Sequence, residues 1–295
     1  MKDIYDILRE WKKRRAENRQ SGSDFALATL VRAEGSSYRR PGARMLICQN
    51  GELVGSLSAG CIEKEVAERA QEVLQTGKPI LLSFDTRQRF GCAGKIDILI
   101  EPANDKFLTD LAADLEARRP HLAITRFGGN EFVQEIHPPI RLLICGDGLD
   151  NGPLYSLGNL LGWETVEISD PNLLTIAPDD WTAAIVKSHN YGRDFVALQK
   201  LLPLNLRYVG LIGPRKRRDQ LMNALLDFGI TIDAGFFAPA GLDLGAETPE
   251  EIALAIGSEI QRVFAKRSGE SLRERKLAIH SASKGEMRSP NALLE

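Results

Sequence analysis

A cysteine near the start of a predicted helix is the residue best suited to chemistry in this sequence. Cys61 follows a run of small residues at 55–60, and an amphipathic helix begins at or next to it. Unpaired backbone N–H groups and the positive end of a helix dipole favour an anion there and can lower a thiol pKa. Cys61 could therefore be a soft metal ligand or a nucleophile. The alternative is a small residue packed where a loop meets a helix.

Two further groups in the first half suit a ligand that carries both a phosphate and a metal. Arg39, Arg40 and Arg44 lie in a loop with glycine, serine and proline, and guanidinium groups suit phosphates. Cys92 lies near glycines in a separate loop, and thiolates suit soft metals. One ligand would use both groups: a phosphorylated organic cofactor that carries a metal.

A glycine-rich loop at 146–152 lies where a Rossmann fingerprint belongs, between a first strand and its helix. Its glycines follow the order G-x-G-x-x-x-G, one place longer than usual: Gly146, Gly148 and Gly152. Asp170 ends the next strand, where an acidic residue binds a ribose hydroxyl. Asp147 and Asp150, however, put carboxylates beside the place of a pyrophosphate. They could repel a phosphate or cap the helix.

Two more candidates follow strands of the second half. His189 lies at the sheet edge where doubly wound folds bind ligands, although it could simply cap the next helix. Arg215 opens a basic turn at 215–218 that could hold a phosphate. An exposed basic turn is an equal alternative, because cations at a helix start oppose the dipole.

The composition excludes several classes of protein. Lysine plus arginine (38) nearly balance aspartate plus glutamate (40), which argues against a general nucleic-acid binder. No apolar run approaches the ~18 residues of a membrane span, and the first residues are too charged for a signal peptide. The four cysteines include no CxxC pair, which favours free thiols. We therefore expect a cytoplasmic protein.

The order of predicted elements indicates a two-domain α/β protein. An N-terminal α/β domain comes first, with a hairpin turn at Asn50-Gly51. From residue 140 strands and helices alternate, which predicts a Rossmann-like, doubly wound parallel sheet. A capping box at Thr248 starts the last helix. Paired prolines after His137 set the predicted domains at 1–136 and 137–265, and residues 266–295 are predicted to be a mobile tail.

Several blocks of the sequence resemble the XdhC/CoxI family. Residues 35–45 (GSSYRRPGARM) and 55–63 (GSLSAGCIE) are similar to its amino-terminal signature. Residues 90–94 (FGCAG) with 98–102 (ILIEP) are similar to its second signature, and 208–217 and 241–253 to its Rossmann domain. Leu149 departs from the histidine usual in that domain, and Ala59 and Ala93 replace common glycines.

The resemblance implies an accessory protein for molybdenum hydroxylases such as xanthine dehydrogenase. It would bind the molybdenum cofactor (molybdopterin), protect it during sulfuration and deliver it to the apo-enzyme, with no catalytic residue required. The three arginines would hold the pterin phosphate, and Cys61 and Cys92 would face the metal or its sulfur. Glu63 would order the cysteine turn or bind the pterin. A cysteine desulfurase and a second copy of the chain are further candidate partners.

The second half leaves other functions open. The glycine loop, Asp170, His189 and Arg215 could bind NAD(P) or another nucleotide. The alternative function is then an NAD(P)-dependent oxidoreductase with His189 as acid or base. A nucleotide-processing enzyme that acts on the pterin is a third class.

Overall fold

The computed structural model describes residues 2–18, 24–35, 37–85, 94–175, 177–274, 276 and 285–288. The chain divides into two compact units. The first contains Met1–Pro138 and Leu277–Glu295, and the second contains Pro139–Lys276. These units are groups of residues in mutual contact, and the domain limits inferred from the sequence, 1–136 and 137–265, remain a prediction.

The first unit is built on an antiparallel five-stranded sheet. Its elements are α1 (Lys2–Asn18), β1 (Phe25–Gly35), β2 (Arg44–Cys48), β3 (Leu53–Gly55), α2 (Glu63–Thr76), β4 (Ile80–Asp85), β5 (Gly94–Pro102), α3 (Asp105–Glu116), β6 (His121–Phe127) and β7 (Asn130–Ile136). The strand order is β3-β2-β1-β5-β4. The predicted turn at Asn50-Gly51 joins β2 to β3 and is confirmed.

Both faces of this sheet are buried along most of β1 and along β2, because helices cover each face there. Phe25 and Leu27 of β1 pack in a core with α1 and α3. Ala26, Ala28 and Leu30 point the other way, into a core with α2. Successive side chains of a strand alternate between faces, so neighbouring residues of β1 and β2 lie in different cores.

The structure differs from the predicted mobile tail at residues 285–288. These residues form β13 (Gly285–Arg288), which pairs antiparallel with β7 and extends the hairpin to the sheet β13-β7-β6. The physical reason is that the edge of β7 offers unpaired backbone groups, which an added strand satisfies. Residues 277–284 and 289–295 lie outside the described residues.

The second unit is the predicted Rossmann-like parallel sheet. Its elements are β8 (Arg141–Cys145), α4 (Gly152–Leu161), β9 (Glu164–Ile168), β10 (Thr182–Val186), α5 (Tyr191–Leu201), β11 (Tyr208–Leu211), α6 (Arg215–Asp227), β12 (Phe236–Phe237) and α7 (Pro249–Phe264). The strand order is β12-β11-β10-β8-β9, and every pair is parallel. The α/β fold class is therefore confirmed.

The helices of this unit cover both faces of its sheet. Apolar residues of α4 and α7 pack on one face, and those of α5 and α6 pack on the other. The strand order reverses between β8 and β10, which pair with Cys145 opposite Val186. At such a switch point the loops after the two strands diverge and leave a crevice for a ligand. The loops at 146–151 and 187–190 both start there.

Across the described ranges, no helix has the length and apolar character that crossing a membrane requires.

The capping box at the start of α7 generates a stability prediction. Thr248 Oγ1 accepts from the Glu251 N–H, and Glu251 Oε2 accepts from the Thr248 N–H. We expect Thr248→Ala to lower the free energy of unfolding of the second unit by about 1 kcal/mol. Urea denaturation followed by tryptophan fluorescence measures this, because two of the three tryptophans, Trp163 and Trp181, lie in that unit. Thr248→Ser is the control, and an unchanged midpoint in Thr248→Ala would contradict the prediction.

Candidate functional site

The predicted cysteine turn lies between β3 and α2, and its tip is exposed. α2 begins at Glu63, so Cys61 immediately precedes the N-cap residue, Ile62. Leu57 and Ile62 are buried in the core beneath α2 and fix both ends of the turn. Cys61 is a free, exposed cysteine. The alternative of a small packed residue is therefore wrong for Cys61.

The carboxylate of Glu63 holds this turn together. Glu63 Oε1 accepts from the N–H groups of Leu57 (3.1 Å) and Ser58 (2.6 Å). Glu63 Oε2 accepts from Ser58 Oγ (2.6 Å) and from the Ile62 N–H (3.2 Å). Partial burial raises the pKa of Glu63, but the hydrogen bonds from Ser58 and the backbone outweigh it and lower the pKa below its usual value.

These bonds change what the helix start offers to a ligand. Ser58 Oγ also accepts from the N–H groups of Gly60 and Cys61, each at 3.1 Å. The donors that the sequence predicted to be open at Cys61 are thus used inside the turn. A carboxylate of the chain supplies the negative charge that favours a helix start. The exposed Cys61 thiol, rather than the backbone, is what the turn presents.

Arg39 is the predicted arginine that reaches the turn. Its Nη1 donates to Ser56 Oγ at 2.7 Å, and its Nη2 forms an ion pair with Asp3 of α1. The side chain is half-buried, as is that of Arg40. The loop after β1 therefore brings a guanidinium group to the residues that start the cysteine turn.

Arg44 points away from the turn, which corrects its predicted place in the site. It is 2% exposed, and its Nη1 donates to Gln134 Oε1 (2.5 Å) and to the Gly42 carbonyl (3.2 Å). Its guanidinium carbon lies 5.8 Å from the ring centre of Phe107. Burial lowers the pKa of Arg44 to about 10. Met45 packs in the core with α2, so the alternation of side chains along β2 turns Arg44 to the opposite face.

Cys92, the second predicted metal ligand, lies outside the described residues together with most of the FGCAG motif. Within the part of the chain that is described, no group of three or more His, Cys, Asp or Glu side chains is arranged to hold a metal ion.

In the second unit, two of the three predicted glycines allow close contacts at the switch point. A Cβ on Gly146 (φ +135°) would lie 2.9 Å from backbone atoms of Lys187 and Ser188. A Cβ on Gly148 (φ +149°) would lie 2.5 Å from Asp150 Oδ1. Gly152 has an ordinary helical φ of −50° and begins α4. Gly152 is the glycine that lies one place later than in the Rossmann fingerprint, and its backbone conformation is one that any residue can adopt.

A buried lysine that the sequence analysis did not identify lies behind this loop. Lys187 is 1% exposed, and its Nζ lies 2.6 Å from both Asp150 Oδ1 and Asn151 Oδ1. Asn151 Nδ2 donates to the Gly146 carbonyl (3.0 Å) and to Glu167 (2.9 Å). The available signal was a lysine directly after a wholly buried apolar strand. A cation there needs an anionic partner.

Asp150 provides that partner. Partial burial raises the pKa of Asp150, but the hydrogen bond and the charge of Lys187 outweigh it, and the pKa lies below its usual value. Asp150 is therefore ionised at neutral pH.

His189 lies at the same edge. It has a left-handed φ of +53° and is 69% exposed, and its Nε2 lies 3.8 Å from Asp150 Oδ2. Its loop is held by buried Asp194, which accepts from the Ser188 N–H (3.0 Å) and Oγ (2.5 Å) and forms an ion pair with Arg217. The N-cap of α5 is Asn190, so the alternative that His189 is present in this loop to cap the helix is wrong.

Asp170 and Arg215 have no part in this buried cluster. Asp170 accepts from the backbone and side-chain N–H groups of Asn172, at 2.9 and 3.1 Å, and caps a short 3-10 turn. Arg215 is exposed at the first residue of α6. Arg217, two residues later, is the member of the basic turn that reaches the loop of His189 through Asp194.

Comparison with known families decides the identity of both parts of the chain. Residues 18–85 match the XdhC and CoxI family, and residues 142–260 match the XdhC Rossmann domain. The chain belongs to the XdhC and CoxI family. The cysteine turn lies within the first match, and the cluster of Lys187 and Asp150 lies within the second.

Individual relatives are similar over most of their length. A Bacillus subtilis (strain 168) protein, named a probable subunit of xanthine dehydrogenase, is 28% identical, over 80% of this chain and 92% of that protein. PaoD of Escherichia coli (strain K12), named a molybdenum cofactor insertion chaperone, is 25% identical, over 82% of this chain and 84% of that protein. A crystal structure described as a xanthine dehydrogenase from Bacillus halodurans has the same fold, with a TM-score of 0.78 and 23% identity over 92% of this chain and 98% of that one.

The bonds to Glu63 generate a pH-dependent prediction. A lowered folded-state pKa stabilises the fold above the unfolded pKa of about 4.3, and this contribution is lost as the pH falls through the folded value. We expect Glu63→Gln to lower the free energy of unfolding at pH 7 by about 1 kcal/mol. The difference from the wild type should shrink when the pH falls below about 4.

Thermal unfolding between acidic and neutral pH checks this. Glu68→Gln is the matched control, because it removes an exposed carboxylate from the same helix. A difference between wild type and Glu63→Gln that does not depend on pH would refute the role given to the carboxylate.

The exposure of Cys61 generates a second prediction. Burial raises the pKa of Cys145 to about 12 and also raises that of Cys48, so neither buried thiol should react quickly in the native protein. With Cys92 replaced by serine in every variant, because it lies outside the described residues, we expect Ellman's reagent to modify Cys61 in a fast phase. Cys61→Ser should remove this fast phase, and Cys145→Ala should leave it intact. A fast phase of full amplitude in Cys61→Ser would be inconsistent with the exposed turn.

Proposed function

We propose that this protein is an accessory factor that binds the molybdenum cofactor as cargo and hands it to a hydroxylase of the xanthine dehydrogenase type. Membership of the XdhC and CoxI family supports this role. The names of the relatives in E. coli and B. subtilis support it as well. The single observation that carries the proposal is an exposed thiol, Cys61, on a turn fixed by Glu63.

The chemistry of the donors fits a ligand with a soft end and a phosphate end. In this proposal the Cys61 thiol faces the molybdenum or its sulfur, because thiolates suit soft and sulfur-bound metals. The turn gives the thiol a fixed place, since Glu63 and Ser58 already satisfy the backbone donors around it. Binding therefore requires little ordering of this turn, which favours affinity.

Guanidinium groups beside the turn would hold the phosphate. Arg39 is paired with Asp3, but an ion pair at a half-exposed site contributes little and can be exchanged for a phosphate. Arg40 is the second candidate. Arg44 has a positioning role in this proposal, because it joins Gly42 of the arginine loop to Gln134 of β7. Cys92 stays a predicted second thiol.

The later steps of the role are also proposed. The protein would keep the cofactor while sulfur is added, with a cysteine desulfurase as the donor, and would then deliver it to the apo-hydroxylase in the cytoplasm. None of these steps requires a catalytic residue of this chain. Its residues bind and orient the cofactor.

Incubation of the purified full chain with molybdenum cofactor, followed by desalting and assay of bound molybdenum and pterin, tests the proposal. We expect the wild type and Cys145→Ala to retain both, and Cys61→Ser to lose affinity by roughly tenfold, about 1.4 kcal/mol. Arg39→Gln should weaken pterin retention, while Arg32→Gln, which removes a more exposed arginine of β1, should not.

Two outcomes would count against the proposal in different ways. No retention of molybdenum or pterin by the wild type would overturn the chaperone function itself. Equal retention by wild type and Cys61→Ser would keep the function but remove Cys61 from the site.

A further inference from the structure

The glycine loop of the second unit is filled by a carboxylate of the chain itself. In a dinucleotide loop, a glycine without a Cβ lets the pyrophosphate approach the backbone. Here the space beside Gly148 is taken by Asp150, whose Oδ1 lies 2.5 Å from where a Cβ would be. Lys187 Nζ lies 3.9 Å from the same point. The close approach that Gly148 permits is therefore used by Asp150.

Charge explains why this carboxylate stays in place. The ammonium of Lys187 is almost completely buried, and a buried cation is stable only with an anionic partner and hydrogen bonds. Asp150 supplies the negative charge and Asn151 supplies a second acceptor. Asp150 is 39% exposed, so it lies between the buried lysine and solvent.

The groups around the pair make the loop less suitable for a phosphate. Asp147 and Glu167 add two carboxylates, which are held by Arg193 (3.1 Å) and by Asn151 (2.9 Å). A phosphate that entered the loop would meet these like charges, and Asp150 would occupy the position next to Lys187. NAD(P) therefore does not fit the loop as it stands.

We propose that Asp150 replaces the phosphate of a ligand: it closes the second unit to NAD(P) and other phosphate-bearing nucleotides, and it covers a latent phosphate site formed by Lys187. This inference is independent of the proposed cargo. It revises the predicted nucleotide-binding role of Gly146, Gly148, Gly152 and Asp170. Removal of one negative charge, without any new contact, should create affinity for a phosphate.

The test compares binding of NADH and of inorganic pyrophosphate to the purified full chain and three variants. Asp150→Asn removes the charge that holds this side chain against Lys187, so a phosphate can displace the neutral amide. Asp147→Asn is the matched control, because it neutralises an exposed carboxylate of the same loop that pairs with Arg193 instead. Asp150→Asn/Lys187→Met also removes the buried ammonium.

We expect Asp150→Asn to bind pyrophosphate saturably, at a concentration at least about tenfold below the highest at which the wild type is tested. The wild type and Asp147→Asn should show no saturable binding of either ligand, and the double variant should lose the gain. Micromolar binding of NADH by the wild type would overturn the closure. A folded Asp150→Asn variant without any gain in pyrophosphate affinity would overturn the latent site.

Stability gives a second readout if Asp150→Asn folds poorly. A buried lysine that lacks its counter-ion should be rescued by pyrophosphate, which would raise the melting temperature with increasing concentration. The double variant needs no counter-ion and should show no such rise. If pyrophosphate fails to stabilise Asp150→Asn more than the double variant, the inference is wrong.

Discussion

The carboxylate of Glu63 is the constraint on which the candidate site depends. Glu63 is the first residue of α2, and its side chain folds back to accept hydrogen bonds from the residues that precede the helix. A helix start of this kind needs acceptors for its N–H groups, and a side chain of the chain supplies them here. As a result, the tip of the turn is fixed without a bound anion, and Cys61 is displayed to solvent.

In the second unit a carboxylate of the chain likewise takes the place of a bound anion, but there it blocks a ligand site. Asp150 places a carboxylate against Gly148 and the buried ammonium of Lys187, where a nucleotide phosphate would otherwise bind. In both units an acidic side chain at a glycine-containing loop thus supplies an internal partner: Glu63 accepts from backbone N–H groups, and Asp150 pairs with the ammonium of Lys187. In the first unit this leaves a thiol and a guanidinium group for a ligand. In the second unit Asp150 neutralises Lys187, so the ammonium is not available to a ligand.

Local patterns predicted the architecture well because they depend on neighbouring residues. The Asn50-Gly51 turn, the capping box at Thr248 and the alternation of strands and helices are all read within short windows of sequence. The start of α2 also lies close to the expected residue, but the sequence left open whether Cys61 would be packed or exposed and whether Glu63 would order the turn or bind the pterin.

The parts of the site that the sequence could not predict depend on distant contacts. All residues of β2 are buried, so no polar alternation showed that Arg44 would face Gln134, 90 positions later, instead of the cysteine turn. Lys187 is recognisable as part of a site only when it meets Asn151, 36 positions earlier in the chain. The pairing of β13 with β7 joins segments that no local pattern relates.

The most direct test of the central claim is the rate at which iodoacetamide alkylates Cys61, measured by mass spectrometry with and without bound molybdenum cofactor. We predict rapid alkylation of Cys61 in the free protein and strong protection when the cofactor is bound, while the buried Cys145 remains unmodified in both states. Alkylation of Cys61 at the same rate in a protein shown to retain the cofactor would contradict the account.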